Sequence, residues 1–161
     1  MQQQANHAPL ITAGTFVGIG MGGFVDGILF HQILQLHNML SAKVPKTTIP
    51  NFEINMFWDG MFHALTWVMS ALGIALLWKA ARRVEVPWLG KVFGGALFLG
   101  WGLFNLIEGI IDHHILNLHH VYEVRGQSIF DWVFLLSGVL FIIGGLIVIR
   151  SQRNVVAGSI N

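Results

Sequence analysis

Four long apolar stretches, at about residues 10–36, 57–78, 89–118 and 130–149, constrain this chain more than any other feature. Each is near the roughly 20 residues a helix needs to cross the hydrocarbon core of a bilayer. Lipid offers no hydrogen bonds, so the backbone of such a segment must satisfy itself as a helix. Composition agrees: 54% of the 161 residues are hydrophobic and 11% charged, against roughly a quarter charged in soluble domains. The expected fold is all-α, a polytopic membrane four-helix bundle forming a single transmembrane domain over residues 1–161. The opening M-Q-Q-Q-A-N-H lacks the basic region of a signal peptide, and no small-residue cleavage site follows the first apolar run. The first span is therefore expected to be retained, with His7 in a mobile tail before it.

Charge placement sets an expected orientation. Lys79, Arg82 and Arg83 close the second span, and Arg150 and Arg153 follow the fourth. By the positive-inside rule these put the second loop and both termini on the cytoplasmic side of the membrane. The loops after His37 and after His119 then face outward, although Lys43, Lys46 and Arg125 weaken the bias. The stretch N-M-L-S-A-K-V-P-K-T-T-I-P-N after His37 reads as an exposed loop. The Trp residues fall mostly near span ends, as an interfacial belt would place them. A net charge of +1 with no basic tract argues against nucleic acid as a partner. The lipid bilayer is the partner composition implies; a small-molecule or electron-transfer partner is not identified, and a homo-oligomer is left open. The absence of Cys excludes disulfides and thiolate metal sites, leaving imidazole, carboxylate and Met as ligands.

One motif occurs twice. Residues 24–38 read F-V-D-G-I-L-F-H-Q-I-L-Q-L-H-N, and residues 106–120 read L-I-E-G-I-I-D-H-H-I-L-N-L-H-H. Asp26, Gly27, His31 and His37 align with Glu108, Gly109, His113 and His119, and upstream Gly18 and Gly20 align with Gly100 and Gly102. Trp58-Asp59 likewise matches Phe130-Asp131. The chain thus reads as two tandem two-helix repeats, about 10–83 and 89–153, both starting on the same side of the membrane. The copies differ in chemistry: Phe30 faces Asp112 in the alignment, Gln32 faces His114, Asn38 faces His120, and His63 faces Leu135.

Carried forward at roughly 100° per residue, Asp26, His31 and His37 share one arc of the first helix. On the third, Glu108, Asp112, His113, His119, His120 and Asn105 share another, and only His114 points elsewhere. Asp59, His63, Thr66 and Ser70 form a stripe on the second helix. If His37 and His119 mark the outer helix ends, Asp26 and Glu108 lie roughly 16 Å deeper. Ionisable groups at that depth are costly unless paired or coordinated. Mutual hydrogen bonding that fixes helix register would explain a lone His; acids and imidazoles on facing arcs point to metal, as in di-metal carboxylate bundles. His31, Asp59, His63, Glu108, Asp112 and His113 are the expected direct ligands. Asp26, His37, His119 and His120 are candidates either for ligation or for orienting a ligand imidazole. Asp131 lacks a His one turn on, so capping its helix is an equal alternative to ligation.

The pattern G-x-G-x-G-G-F-V-D-G-I-x-x-H-Q-I-L-Q-x-H, then F-W-D-G-x-F-H and G-W-G-L-F-N-L-x-E-G-x-I-D-H-H, resembles a bacterial family of predicted inner-membrane proteins, domain-of-unknown-function family 2243. The likeness covers residues 12–150. It implies the membrane class and marks these motif residues, and it adds no reaction. The leading expectation is a metalloprotein with one or two transition-metal ions between helices one, two and three near the outer leaflet. Iron, manganese or zinc suit the mixed ligands, and copper a His-dominated subset. A metal-dependent oxidoreductase heads the enzyme readings, with a hydrolase as another. The alternatives are a metal-ion or proton transporter, against which Thr12–Gly23 offers no ionisable group, and a bis-His haem electron carrier, which leaves the buried acids unexplained.

Overall fold

The computed structural model describes residues 6–158, and side-chain surroundings through residue 152. Helix α1 runs Ala8–Val25 and continues without a break as a π-helical turn, Asp26–Ile33. Helix α2 covers Ile49–Ala81. Helix α3 runs Gly90–Glu108 and also continues as a π-helical turn, Gly109–Ile115. Helix α4 covers Ile129–Gly158. No strand occurs among the described residues, and all four helices are long and apolar enough to cross a membrane. The second span starts at Ile49 rather than near residue 57. Thr48 caps it by accepting from Asn51 N, and Pro50 sits in the first turn, where its missing N–H is no loss.

The four helices form a row more than a square. Helices α1 and α3 lie side by side in the middle, α2 packs outside α1 and α4 outside α3, while α2 and α4 do not touch each other. Small residues set this order, because in a membrane close backbone approach takes the place of a hydrophobic drive between helices. Gly18 lies on the carbonyl of Leu97 and Gly100 on that of Thr15, and a Cβ on either would overlap backbone. Gly14 faces Ala96 and Gly22 faces Trp101, so contacts advance together along both chains and α1 and α3 run parallel. Gly95 against Gly145 and Gly102 against Gly138 lock α3 antiparallel to α4. The outer faces of α2 and α4 leave Met61, Leu65, Trp67, Ile74, Leu136, Leu140 and Ile147 exposed, an apolar surface suited to acyl chains.

At the end where α1 and α3 begin, Leu10, Ala80, Val86 and Val92 close the row with an apolar plug. His7 is buried against this end, not part of a mobile tail. Asn6 N donates to Glu85 O and α1 begins directly after His7, with Pro9 in its first turn, which draws the segment onto the α2–α3 connection. Arg153, one of the cations that set the expected orientation, lies outside the residues whose side chains are described. At the opposite end, residues 34–48 and 116–128 fold over the helix termini. Asn38 and Ser41 are buried there, so the first of these segments is a lid over the helix ends and not a solvated loop throughout.

Candidate metal centre

The two π-helical turns build the site. From Asp26 and Glu108 onward the backbone bonding loosens: Leu34 N donates to Leu29 O and Leu116 N to Ile111 O, each five residues back. Leu36 N then reaches Phe30 O and Leu118 N reaches Asp112 O. Gln35 (φ 51) and Asn117 (φ 48) take the left-handed conformation, which is uncommon outside Gly and reverses the chain. His37 and His119 are thereby folded back over the helix ends. His119 Nε2 lies 2.8 Å from Glu108 Oε1, so the expected separation of roughly 16 Å between these two levels is not found. An α-helical count could not anticipate a backbone that leaves the α-helix at Asp26.

Four imidazoles meet between α1 and α3. His37 and His119 stack face to face with ring centroids 4.6 Å apart. His31 stands edge-on to His37 at 4.5 Å, and His113 edge-on to His119 at 4.8 Å. Two carboxylates complete the cluster. Asp26 Oδ2 is 3.1 Å from His31 Nε2, Asp26 Oδ1 is 3.9 Å from His37 Nε2, and Glu108 Oε1 is 3.1 Å from His113 Nε2. All six side chains are buried, the most exposed being Glu108 at 6%. Donor atoms of His31, His37 and His119, and again of Glu108, His113 and His119, fall within 4.8 Å of one another, a spacing that could hold a metal ion.

Each ring is also held from behind. His31 Nδ1 bonds Asp59 Oδ1 at 2.9 Å, and His113 Nδ1 lies 3.1 Å from Asp131 Oδ1, short of good hydrogen-bond alignment. His37 Nδ1 donates to Val121 O at 3.0 Å, while His119 Nδ1 donates to Met39 O at 3.1 Å, each loop tethering the other half's imidazole. Carbonyls only accept, so Nδ1 carries the proton in both rings. Burial, reinforced by neighbouring His119 and His31, holds the His37 imidazole well below its ordinary range, so its Nε2 keeps a free lone pair. Burial also opposes charge on His119, but the hydrogen bond and charge of Glu108 outweigh it and raise that ring above the ordinary value.

The structure divides the sequence candidates into three groups. Asp26, His31, His37, Glu108, His113 and His119 converge. Asp59 and His120 stand behind them. Asp59 is filled by His31, Gln32, Met39 N and the Asn38 amide, and it faces Nδ1 of His31, the side away from the cluster centre. His120 Nδ1 lies 3.6 Å from Asp131. His63 and Asp112 belong to neither group of close donors. The His63 ring turns its Nδ1 to its own helix at Asp59 O, 2.7 Å away, and lies against Gly27 on the flank of α1. The stripe on α2 therefore brings Asp59 to the back of His31 and leaves His63 outside the cluster. His114 points away from the cluster, bonding Gly109 O and meeting Trp132 edge-on.

Of the two roles the sequence leaves open for Asp131, capping or ligation, the structure shows the capping. It accepts from Ser128 N at the start of α4 and also from Val121 N while backing His113, so capping and orienting are one function. Its signal was the match to Asp59. Nothing in the sequence marks the carbonyls of Met39 and Val121.

Beside the cluster, in the cleft between α1 and α4 over α3, lies a cavity of about 170 Å³ whose walls include Asp26, Phe30, Trp101, Asn105, Phe134 and Phe141.

A family model described as "Predicted membrane protein (DUF2243)" matches residues 13–152, nearly the whole chain. The chain belongs to this family. For this DUF2243 member, no curated protein and no solved structure matches. The family description confirms the membrane class and the resemblance carried by the two motif copies, and it assigns no chemistry.

Proposed function

We propose that this DUF2243 protein is a membrane metalloprotein that holds two transition-metal ions among Asp26, His31 and His37 of one half and Glu108, His113 and His119 of the other, for oxidation–reduction. The observation that carries this reading is the state of the inward-facing atoms. His31 Nε2, His37 Nε2, His113 Nε2, Asp26 Oδ2 and Glu108 Oε2 are buried without a hydrogen-bond partner. Each such group costs about 1–3 kcal/mol when left unmade, and cations at the centre would offset all of them at once. The Nδ1 anchors fix tautomer and ring direction, as partners of ligating His do in metal sites.

Charge supports two ions. Asp26, Asp59, Glu108 and Asp131 are all buried, and among the described residues their ion pairs are with His alone, never with Lys or Arg. Two divalent cations would balance four carboxylates while leaving the imidazoles neutral as ligands. The donors suit iron, manganese or zinc, and the four imidazoles also suit copper. Haem is a poorer fit, since the stacked His37 and His119 leave no gap for a porphyrin between them. A redox role is preferred to hydrolysis because the cluster is covered by both loop segments and reached from a flank lined by aromatic side chains.

We further propose that the halves are copies of one hairpin and that both termini face the cytoplasm. Supporting the first, contacts pair at constant offsets: His31–Asp59 with His113–Asp131 (113 − 31 = 82; 131 − 59 = 72), and Gly18–Leu97 with Gly100–Thr15.

The test is elemental analysis of protein purified from membranes without chelator. About two transition-metal ions per chain are expected, as in di-metal bundles, with loss in His31→Ala and in His119→Ala. A folded wild-type chain that carries and takes up no transition metal would overturn the reading, leaving a hydrogen-bonded cluster that fixes helix register.

A further inference from the structure

We propose that the cavity between α1, α3 and α4 binds the hydroxylated ring of a lipid-soluble aromatic molecule, a quinol. This deepens the redox reading of the neighbouring cluster and rests on it for its purpose, though binding itself does not.

Position decides the phase from which a ligand comes. The wall residues Gly22, Val25, Trp101, Phe134 and Phe141 all lie inside membrane-length spans. Helices α1 and α4 pack on α3 but not on each other, so the cleft faces sideways, toward lipid. Size admits one ring: the cavity measures about 170 Å³, and apolar cavities of about 150 Å³ take benzene. Phe30, Phe134, Phe141 and Trp101 offer it aromatic faces and edges.

The polar wall selects a donor. Ser137 Oγ donates its hydrogen to Phe134 O at 2.6 Å, so Asn105 must present its NH₂ to Ser137 Oγ, 2.9 Å away. That chain fixes the amide and leaves Asn105 Oδ1 as a buried acceptor without a partner. Asp26 also lines the cavity, and as a carboxylate it accepts only. Two acceptors at the inner wall favour a hydroxyl over a carbonyl, hence quinol over quinone. A hydroxyl on Asp26 would stand one carboxylate away from His31.

The opposite flank lacks these features. At the matching offset of 82 (105 − 82 = 23; 101 − 82 = 19; 30 + 82 = 112), Asn105, Trp101 and Phe30 correspond to Gly23, Ile19 and Asp112, and the space beside Gly23 is filled by the Thr66 methyl. The two halves agree in the six converging residues apart from Asp26 against Glu108 and diverge at the cavity walls, which gives one face only a ring-sized site.

The test uses purified wild-type protein in lipid nanodiscs, titrated calorimetrically with a short-chain benzoquinol and with the corresponding quinone. Quinol is expected to bind at least tenfold more tightly. Asn105→Leu should weaken quinol about tenfold, and Ser137→Ala, which frees the amide to rotate, should erase the preference; both should retain wild-type metal content. Equal affinity for the two forms, or an Asn105→Leu variant that folds and binds quinol like wild type, would overturn the proposal. Metal without quinol binding removes the cavity proposal alone; quinol binding without metal removes the reading of the cluster alone.

Discussion

The imidazoles of this protein are committed at one nitrogen and open at the other, and single substitutions should separate the two roles. His119→Ala removes a residue common to both groups of close donors and should abolish most metal binding. His63→Ala should leave metal content unchanged, because that ring is turned to its own helix. Metal per chain in the two variants, measured on protein that inserts equally, checks both. Asp59→Asn and Asp131→Asn keep size but remove the charge behind His31 and His113, and metal affinity should fall about 10- to 100-fold. Acid should act through His119. Its folded value is raised by Glu108, so a proton competes with metal there, and affinity should fall as pH drops below that raised value. In the metal-free protein the sign reverses. The His119–Glu108 contact contributes stability fully present below the ordinary imidazole value, about 6.5, and lost as pH rises through the folded one. Comparing unfolding of metal-free wild type and His119→Gln across that range reads it directly.

At the scale of helices, the parallel contact of α1 with α3 is what brings two halves of a site together, and it depends on backbone meeting backbone. A side chain at Gly18 or Gly100 would drive into the carbonyl of Leu97 or Thr15. Gly18→Ala and Gly100→Ala should therefore each cost several kcal/mol, beyond the 1–3 typical of overpacking where side chains can yield, and should lower metal content through misplacement of the π-helical turns. Gly60→Ala is the control. Nothing lies within 4 Å of a Cβ there, so the helix should gain about 0.5–1 kcal/mol from the better helix former. Thermal unfolding in detergent distinguishes these outcomes. The existence of these helices was legible in apolar length. Their last turns were not, because a π-helical turn is stabilised by the side chains it delivers to the far half of the molecule, not by any local propensity.

For the whole molecule, the proposed orientation places the cluster and its two covering segments at the outer leaflet. The single-Cys variant Thr47→Cys should then react with a membrane-impermeant reagent in intact cells, and Val84→Cys should not. Labelling at position 84 alone would invert the orientation and move the cluster to the cytoplasmic side. Four membrane-length helices, the family and a set of ten candidates that contains the converging six followed from the sequence itself, because apolar length, acid and imidazole are properties of residues and survive without knowledge of neighbours. The tertiary structure alone decided which of ten candidates meet. It turned His63 aside, set Asp59 and Asp131 behind the imidazoles, folded His37 and His119 back to the level of the acids, and tied each to a carbonyl of the opposite half. The carbonyl tethers join residues 80 and 84 positions apart, and the folding back depends on a departure from α-helical geometry at Asp26 and Glu108; neither is written in the local order of amino acids.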